Sequence, residues 1–305
     1  IKTLLFEKEK NMKRILLFLM TNLAVVVTLG VVAHLLGINQ FITKQGIDLN
    51  ALFIFALFFG FSGSLISLFM SKMVAKWTLN LQRITGNESS ETAWIVSTVN
   101  KYASQAGINM PEVYIYDSPE MNAFATGPSK NNSLVAISTG LLRNLNKDEV
   151  EAVIGHEITH IANGDMVTLT LVQGVVNTFV IFISRVLAYA ADQVFRSNNN
   201  NNEESSEASW VYVVSSILFE ILFGVLASMI VAYVSRRREF AADKGGAQLK
   251  SKQAMISALR KLGMQNTGAL PEAIKGFGIS GRSSFMALFS THPPIEKRIE
   301  ALQNM

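Results

Sequence analysis

Four long apolar runs constrain the fold of this chain more than any other feature of its sequence. They cover residues 15–37, 51–70, 166–190 and 210–234, and each is long enough to cross a bilayer as a helix. Hydrophobic residues make up 49% of the chain and charged residues only 16%, with a mean hydropathy of +0.29. That balance is too apolar for a soluble enzyme of this length. The sequence therefore predicts a mainly α, integral membrane protein with four hydrophobic helices.

Basic residues beside these runs predict the orientation of the chain. They are Lys13, Arg14, Lys72, Lys76, Arg83 and the three arginines 236–238. By the positive-inside rule, all of these clusters face the cytoplasm, and four crossings return the chain to that side. The acidic, asparagine-rich segment 192–209 then falls outside as a solvated loop. Because the net charge is only +4 and the basic residues flank apolar runs, we predict no nucleic-acid binding.

The segment between the second and third runs contains two of the four histidines of the chain, His156 and His160, with Glu157 directly after the first. Residues four apart lie on one face of a helix. Both imidazoles can therefore bind one metal ion while Glu157 reaches a water on that ion, a pattern typical of zinc peptidases. Since the chain has no cysteine, the metal must be bound by nitrogen and oxygen. We predict that Asn146 caps this helix and that Gly164 ends it.

A third metal ligand must come from another part of the chain. A histidine six residues after His160 would mark the metzincin pattern, but that position is Met166. The acids Glu239 and Asp243 stand four apart just after the fourth run, so one can bind the metal while the other orients a ligand histidine. Four crossings place both acids on the same side as His156. The alternative is that these acids belong to an ordinary charged helix that follows a membrane span.

A small sheet is predicted just before the metal-binding helix. Short runs rich in β-branched and aromatic residues predict strands at residues 113–116, 123–126 and 134–138, with turn residues between them. Further helices are predicted at residues 91–106, 252–262 and 295–302. The edge of such a sheet can accept an extended peptide as an added strand, so that backbone hydrogen bonds hold the peptide over the metal.

Several motifs occur in a fixed order along the chain. They are Met12-Lys-Arg-Ile, Met121-Asn-Ala-Phe-Ala-Thr-Gly127, His156-Glu-Ile-Thr-His160, Ile161-Ala-Asn-Gly-Asp165, Arg238-Glu-Phe-Ala-Ala-Asp243 and Thr291-His-Pro-Pro294. In these motifs the chain resembles the HtpX family of membrane-embedded bacterial zinc endopeptidases, which is related to the CAAX prenyl proteases. The resemblance runs from Met12 onward, so residues 1–11 are predicted to be a leader or a cloning remnant.

The resemblance also implies an organisation and a location. Residues 12–71 would form two transmembrane helices, and residues 166–234 two further transmembrane or hairpin helices. Residues 72–165 and 235–305 would form a zincin-like α+β catalytic domain on the cytoplasmic face of the bacterial inner membrane. The implied activity is cleavage of misfolded or surplus membrane proteins, with the lipid bilayer and protein substrates as partners.

The resemblance assigns roles to individual residues. It implies one zinc ion bound by His156, His160 and Glu239, with Glu157 as the catalytic base. His292 would stabilise the tetrahedral intermediate, Asp243 would support a ligand histidine, and Arg298 would hold Asp243 or the substrate. The substrate strand would lie along Asn122, Ala123, Phe124, Ala125 and Thr126.

Three alternatives remain open at this point. A processing peptidase of narrow specificity would carry the same motifs. A membrane scaffold with a structural metal would need a fourth ligand and would have no use for Glu157 as a base. Two histidines and a glutamate also suit manganese or cobalt.

Overall fold

The structure is a computed structural model, and it describes residues 27–29, 31–32, 34–35, 41–43, 46–198, 209–267 and 290–305. Contacts divide the chain into two compact units. Among the described residues, one unit comprises those up to Ile66 together with those in Leu171–Ala227, and the other comprises those in Ser67–Thr170 and Ser228–Met305. We call the first the membrane unit and the second the catalytic unit, after the roles that the sequence predicts for them.

Helices make up most of the described residues. They are α1 (Leu49–Leu79), α2 (Ser90–Gln105), α3 (Thr139–Asn144), α4 (Lys147–Asn163), α5 (Asp165–Asn198), α6 (Trp210–Leu249), α7 (Lys252–Thr267) and α8 (Ile295–Gln303). The strands are β1 (Ile42–Thr43), β2 (Gly46–Ile47), β3 (Gln82–Arg83), β4 (Glu112–Tyr116), β5 (Ala123–Ser129) and β6 (Asn132–Ser138). The three strands predicted from the sequence are confirmed as β4, β5 and β6, whereas β1, β2 and β3 were not predicted.

Three described helices, α1, α5 and α6, are long and apolar enough to cross a membrane. They contain three of the four predicted apolar runs. The remaining run, residues 15–37, lies outside the described residues except for a few helical positions between 27 and 35. The expectation of four hydrophobic helices is therefore supported for three of them.

Helix α5 is longer than the apolar run that it contains. It continues to Asn198, so the first part of the segment predicted as an acidic loop, 192–209, is helical instead. Asp192 explains the difference, because its carboxylate accepts a hydrogen bond from Arg196 Nε one turn later at 2.9 Å and is only 4% exposed. Residues 199–208, the asparagine-rich part of that segment, lie outside the described residues.

Polar and small residues join the helices of the membrane unit. Arg185 of α5 forms an ion pair with Glu220 of α6, with 2.9 Å between Nη2 and Oε1. Charged residues inside apolar helices are stable when they face a partner rather than lipid. A Cβ atom added to Gly60 of α1 would lie 2.6 Å from the backbone nitrogen of Thr178 in α5, so glycine permits the close approach of these two helices.

The catalytic unit contains a four-stranded sheet in the order β3-β4-β6-β5. Strands β4 and β6 are parallel, and the β3–β4 and β5–β6 pairs are antiparallel. One face of the sheet packs against α2 and α4 through a core that includes Val113, Val135, Ile137, Ile154 and Ile158. Helix α4, which carries His156 and His160, therefore packs on the sheet through buried side chains.

The opposite face of the sheet carries a polar contact with the last turns of α1. Lys72 Nζ and Lys76 Nζ lie 2.6 and 2.8 Å from the carboxylate oxygens of Glu112 in β4. Burial raises the pKa of the Glu112 carboxyl, but hydrogen bonds from the two lysines and from Tyr114 outweigh burial and lower the pKa to about 2. This cluster fixes the end of α1 against the sheet.

Helix α4 begins and ends where the sequence predicts. Asn146 Oδ1 accepts a hydrogen bond from the Glu149 backbone N–H at 3.0 Å, and the Asn146 N–H donates to Glu149 Oε2 at 2.7 Å. This capping box satisfies the first turn of the helix. At the other end, Gly164 adopts a left-handed conformation with φ of 68°, which glycine reaches without strain.

Glycines bring α4 and α6 into close contact. A Cβ added to Gly246 of α6 would lie 2.9 Å from the Ala152 carbonyl oxygen and 3.0 Å from the His156 nitrogen, both in α4. A Cβ added to Gly155 of α4 would lie 3.2 Å from the Gly246 Cα. Gly246 and the adjacent Gly245 are each unfavourable inside a helix by about 1 kcal/mol relative to alanine, but they allow α6 to approach α4 closely.

Candidate metal centre

Two imidazoles of α4 face one another in the catalytic unit. The Nε2 atoms of His156 and His160 are 3.1 Å apart. His160 Nδ1 lies 2.6 Å from Asp165 Oδ2, and His156 Nδ1 lies 3.0 Å from Asp243 Oδ1. Since each carboxylate favours a proton on the neighbouring Nδ1, both Nε2 atoms keep a lone pair that points toward the same place.

Helix α6 adds a carboxylate to this pair. Glu239 Oε1 lies 3.3 Å from His160 Nε2, and Glu239 Oε2 lies 3.8 Å from His156 Nε2. One ligand atom from each of the three residues can be chosen so that all lie within 4.8 Å of one another. Glu239 is only 4% exposed, so the carboxylate sits in an environment that requires positive charge beside it.

This donor set fits a divalent metal ion. Two nitrogen lone pairs 3.1 Å apart repel one another unless a proton or a metal cation lies between them. Two nitrogens bound to tetrahedral zinc at about 2.1 Å are separated by about 3.4 Å, close to the separation found here. Two neutral imidazoles and one carboxylate are also the ligand chemistry of catalytic zinc sites that keep a position open.

The electrostatics of the site also favour a cation. Burial lowers the pKa of His160, but the carboxylates of Asp165 and Glu239 outweigh burial and raise the pKa to about 10. Without a metal ion His160 therefore holds a proton, which a bound metal cation would replace and so leave the ring neutral. Burial acts to raise the pKa of Glu239, yet His160, His292 and Arg298 together hold it far below its usual range. The group therefore stabilises positive charge at the point where the three side chains meet.

Helix α8 and the residues just before it contribute two further side chains to the site. Arg298 donates from Nε and Nη2 to the two oxygens of Asp243 at 2.7 and 2.6 Å, and its Nη1 lies 3.2 Å from Glu239 Oε2. His292 precedes α8, and its Nδ1 lies 2.8 Å from Glu239 Oε2 with a side chain that is 65% exposed. The bond to Glu239 raises the pKa of His292 despite partial burial.

Glu157 is also buried, close to the charged side chains of this cluster. It is 8% exposed, and its charge contributes to the raised pKa values of His160, His292 and Arg298. The structure thus brings together the residues that the sequence predicts for the metal, for the base and for their support. The roles assigned to these residues stay predictions.

Two residues of this centre, Asp165 and Arg238, were not predicted from the sequence to belong to it. Asp165, which is 3% exposed, bonds His160 with one carboxylate oxygen and Arg238 with the other. A local signal for Asp165 exists, since an acid directly after the Gly164 cap lies beside the last turn of the helix. Arg238 had no such signal, because it lies 73 residues away from Asp165 in the sequence.

The predicted substrate strand lies at an edge of the sheet. In the part of the chain that the structure describes, β5 pairs only with β6. The Ser138 N–H donates to the Asn122 carbonyl at 2.9 Å, and bonded and non-bonded pairs alternate along an antiparallel ladder. By this alternation Phe124 and Thr126 bond β6, while the N–H and C=O groups of Ala123 and Ala125 point toward the free edge. The small side chains of these two alanines pack on the core that contains α4.

Comparison with known proteins identifies the family. The family described as Peptidase family M48 matches residues 89–305, which is well over half of the chain. The chain belongs to peptidase family M48. The resemblance to the HtpX family, predicted from the ordered motifs, is confirmed.

Named relatives match almost the whole chain. A protein named "Protease HtpX homolog" from Paracidovorax citrulli (strain AAC00-1) is 56% identical over 294 residues, covering 96% of this chain and 99% of the relative. A protein of the same name from Chlorobium limicola (strain DSM 245 / NBRC 103803 / 6330) is 53% identical with the same coverage.

A solved structure is similar in fold. The crystal structure of S. mikatae Ste24p matches with a TM-score of 0.62 and 18% sequence identity, covering 95% of this chain and 67% of that chain. Membership of M48, together with three apolar helices, makes this chain a membrane metallopeptidase. The family implies a metal, and the cluster of His156, His160 and Glu239 is where the described residues can hold one.

Proposed function

We propose that this M48 protein is a zinc-dependent endopeptidase of the bacterial inner membrane, which cleaves misfolded or surplus membrane proteins at the cytoplasmic face. The observation that carries the proposal is the convergence of His156, His160 and Glu239, with Glu157 next to the first of them. A structural metal site would be closed by a fourth ligand. Among the described residues only these three form a group of this kind.

Each residue has a distinct task in peptide hydrolysis. Zinc, when bound by His156, His160 and Glu239, supplies Lewis acidity that polarises a carbonyl and makes water more acidic. Glu157 accepts the proton of the attacking water and delivers it to the leaving amine. His292, which is exposed and next to Glu239, donates a hydrogen bond to the oxyanion as charge develops on it.

The free edge of β5 supplies substrate binding. An extended peptide that pairs with Ala123 and Ala125 forms main-chain hydrogen bonds, and these do not depend on the substrate's side chains. Recognition through the backbone requires an unfolded segment rather than a particular sequence. This supports a broad role in removing misfolded proteins over a processing peptidase of narrow specificity.

The first experiment separates chemistry from metal binding. We expect Glu157→Gln in detergent to retain zinc at the level of the unmodified protein and to lose casein cleavage by at least about 100-fold, since general-base catalysis contributes on that order. Zinc content is measured by atomic absorption on the same samples. Unchanged cleavage in this variant, with zinc bound, would show that Glu157 is not the base.

A matched pair of proline variants tests the edge strand. Ala125→Pro removes an N–H that points to the free edge, which an edge strand tolerates, so we expect normal thermal stability and strongly reduced cleavage. Phe124→Pro removes an N–H bonded to β6, so we expect loss of stability. If Ala125→Pro cleaves extended peptides normally, the substrate does not pair with β5.

The preference for misfolded membrane proteins needs its own test. One reporter membrane protein is prepared in a stable form and in a form destabilised by a core substitution, with the same cytoplasmic loop. We expect faster cleavage of the destabilised form in inverted membrane vesicles, within that loop. Equal rates for both forms would favour a processing peptidase, and cleavage confined to the opposite face would refute the proposed orientation.

A further inference from the structure

The three arginines that end the apolar part of α6 have three different environments. Arg236 Nη1 donates to the Ser290 carbonyl at 2.8 Å. Arg237 is exposed, and its guanidinium lies 5.1 Å from the centre of the Tyr233 ring. Arg238 instead contacts Asp165 in the metal centre through Nε and Nη2. A shared role as topology charges therefore does not account for Arg238.

Arg238 is connected through Asp165 to His160, a candidate metal ligand. Its guanidinium meets Oδ1 of Asp165, while Oδ2 of the same carboxylate lies 2.6 Å from His160 Nδ1. Arg238 Nη2 also donates to the Asn163 carbonyl at 3.2 Å, which is the last residue of α4. One side chain thus holds both the carboxylate that faces His160 and the end of the helix that carries His160.

The other ligand histidine has an equivalent arrangement. Arg298 grips Asp243 through two hydrogen bonds of 2.7 and 2.6 Å, and Asp243 lies 3.0 Å from His156 Nδ1. The Nδ1 atom of each imidazole therefore contacts a buried aspartate, and an arginine contacts that aspartate in turn. Asp165 and Asp243 are 3% and 1% exposed, and a buried carboxylate of this kind requires a charged partner to stay ionised in place.

We infer that Arg238 is a positioning residue of the metal centre. It fixes the ring of His160 through Asp165, and it holds α6 in place beside the end of α4. Arg238 directly precedes the ligand Glu239, so the same short segment places the third ligand and orients the second. The inference rests on the proposed function in one respect, namely that His160 binds a metal ion.

Metal release and the spectrum of bound cobalt test this inference without relying on activity. Zinc release to a chromogenic chelator is timed in detergent for the unmodified protein, Arg238→Met, Arg238→Lys and the neighbouring control Arg237→Met. Loss of a group that supports a ligand typically weakens metal binding about 10- to 100-fold. We expect Arg238→Met to release zinc faster by that factor and Arg237→Met to match the unmodified protein.

The conservative variant adds a readout that a general loss of stability would not give. Lysine keeps the charge but cannot form the forked contact to Asp165 and Asn163, so we expect Arg238→Lys to recover only part of the lost zinc retention. The visible absorption of Co²⁺ bound at the site should shift in Arg238→Met and stay unchanged in Arg237→Met. A cobalt spectrum and zinc release rate unchanged in Arg238→Met would overturn the inference.

The result also separates this inference from the proposed function. If the unmodified protein binds no zinc or cobalt, the proposed function fails and the role of Arg238 fails with it. If the unmodified protein binds zinc and cleaves casein while Arg238→Met does both equally well, only the role of Arg238 is refuted.

Discussion

Replacing Gly246 with alanine tests whether the metal centre depends on the close approach of α4 and α6. The added Cβ would lie 2.9 Å from the Ala152 carbonyl oxygen, 3.0 Å from the His156 nitrogen and 3.1 Å from Met255 Sδ. Two of these atoms belong to the backbone of α4 and cannot rotate away. The helices must therefore move apart, and α4 carries two ligands while α6 carries the third.

The size of this movement follows from the contact distances. A carbon atom and a carbonyl oxygen rest at about 3.3–3.6 Å, so the helices separate by about half an ångström at Gly246. Misplacement by 1 Å in a catalytic group costs about 100-fold, so half of that costs about tenfold in kcat. Overpacking destabilises a protein by about 1–3 kcal/mol, while exchange of glycine for alanine in a helix stabilises it by about 1 kcal/mol. The free energy of unfolding of Gly246→Ala should therefore fall by no more than about 2 kcal/mol.

The assay compares kcat, zinc release and thermal unfolding in detergent for a graded series of variants. Gly224→Ala lies in the same helix with nothing within 4 Å of the added Cβ, so we expect unchanged cleavage and zinc release. Gly155→Ala, whose nearest contact would be 3.2 Å, should be intermediate, and Gly246→Ala should be lowest. A Gly246→Ala protein with the kcat and zinc release of Gly224→Ala would refute the reasoning.

Three further predictions concern other parts of the molecule. Glu239→Ala should lose both zinc and casein cleavage, and retention of both would place the third ligand elsewhere. The pKa of Glu112 is depressed to about 2, so its contribution to stability is complete above about pH 4.5 and is lost as the pH falls toward 2. Glu112→Gln should therefore be less stable than the unmodified protein at pH 7. Its Tm should also fall less between pH 7 and pH 3. Arg185→Met should lower Tm by leaving Glu220 unpaired inside the membrane unit, and the double variant with Glu220→Leu should recover part of the loss, which two independent effects would not do.

Local sequence patterns predicted the parts of the site that are close together in the chain. The spacing of His156 and His160, the cap at Asn146 and the stop at Gly164 are all properties of one helix, and one helix has a known period. Glu239 could be proposed because it stands four residues from another acid on a second helix. Its distance from the histidines could come only from the packing of α4 against α6.

Other features depend on contacts between distant residues. Arg238 has the same charge as Arg237 and stands next to it in the sequence, so only the position of Asp165 in the fold distinguishes their contacts. Strand β3 is two residues long, too short to show any periodicity, and it forms because β4 offers hydrogen bonds. Helix α6 continues through two glycines to Leu249, since close packing on α4 offsets the weak helix propensity that would predict an end there.

The order of the ligands along the chain has a consequence for biosynthesis. His156 and His160 leave the ribosome well before Glu239, and the apolar helices α5 and α6 are made in between. Arg298, which holds Asp243, is made later still, in α8. A nascent chain therefore carries two of the three candidate ligands until two hydrophobic helices have been made, and a chain cut short before α8 lacks the arginine that holds Asp243 beside His156.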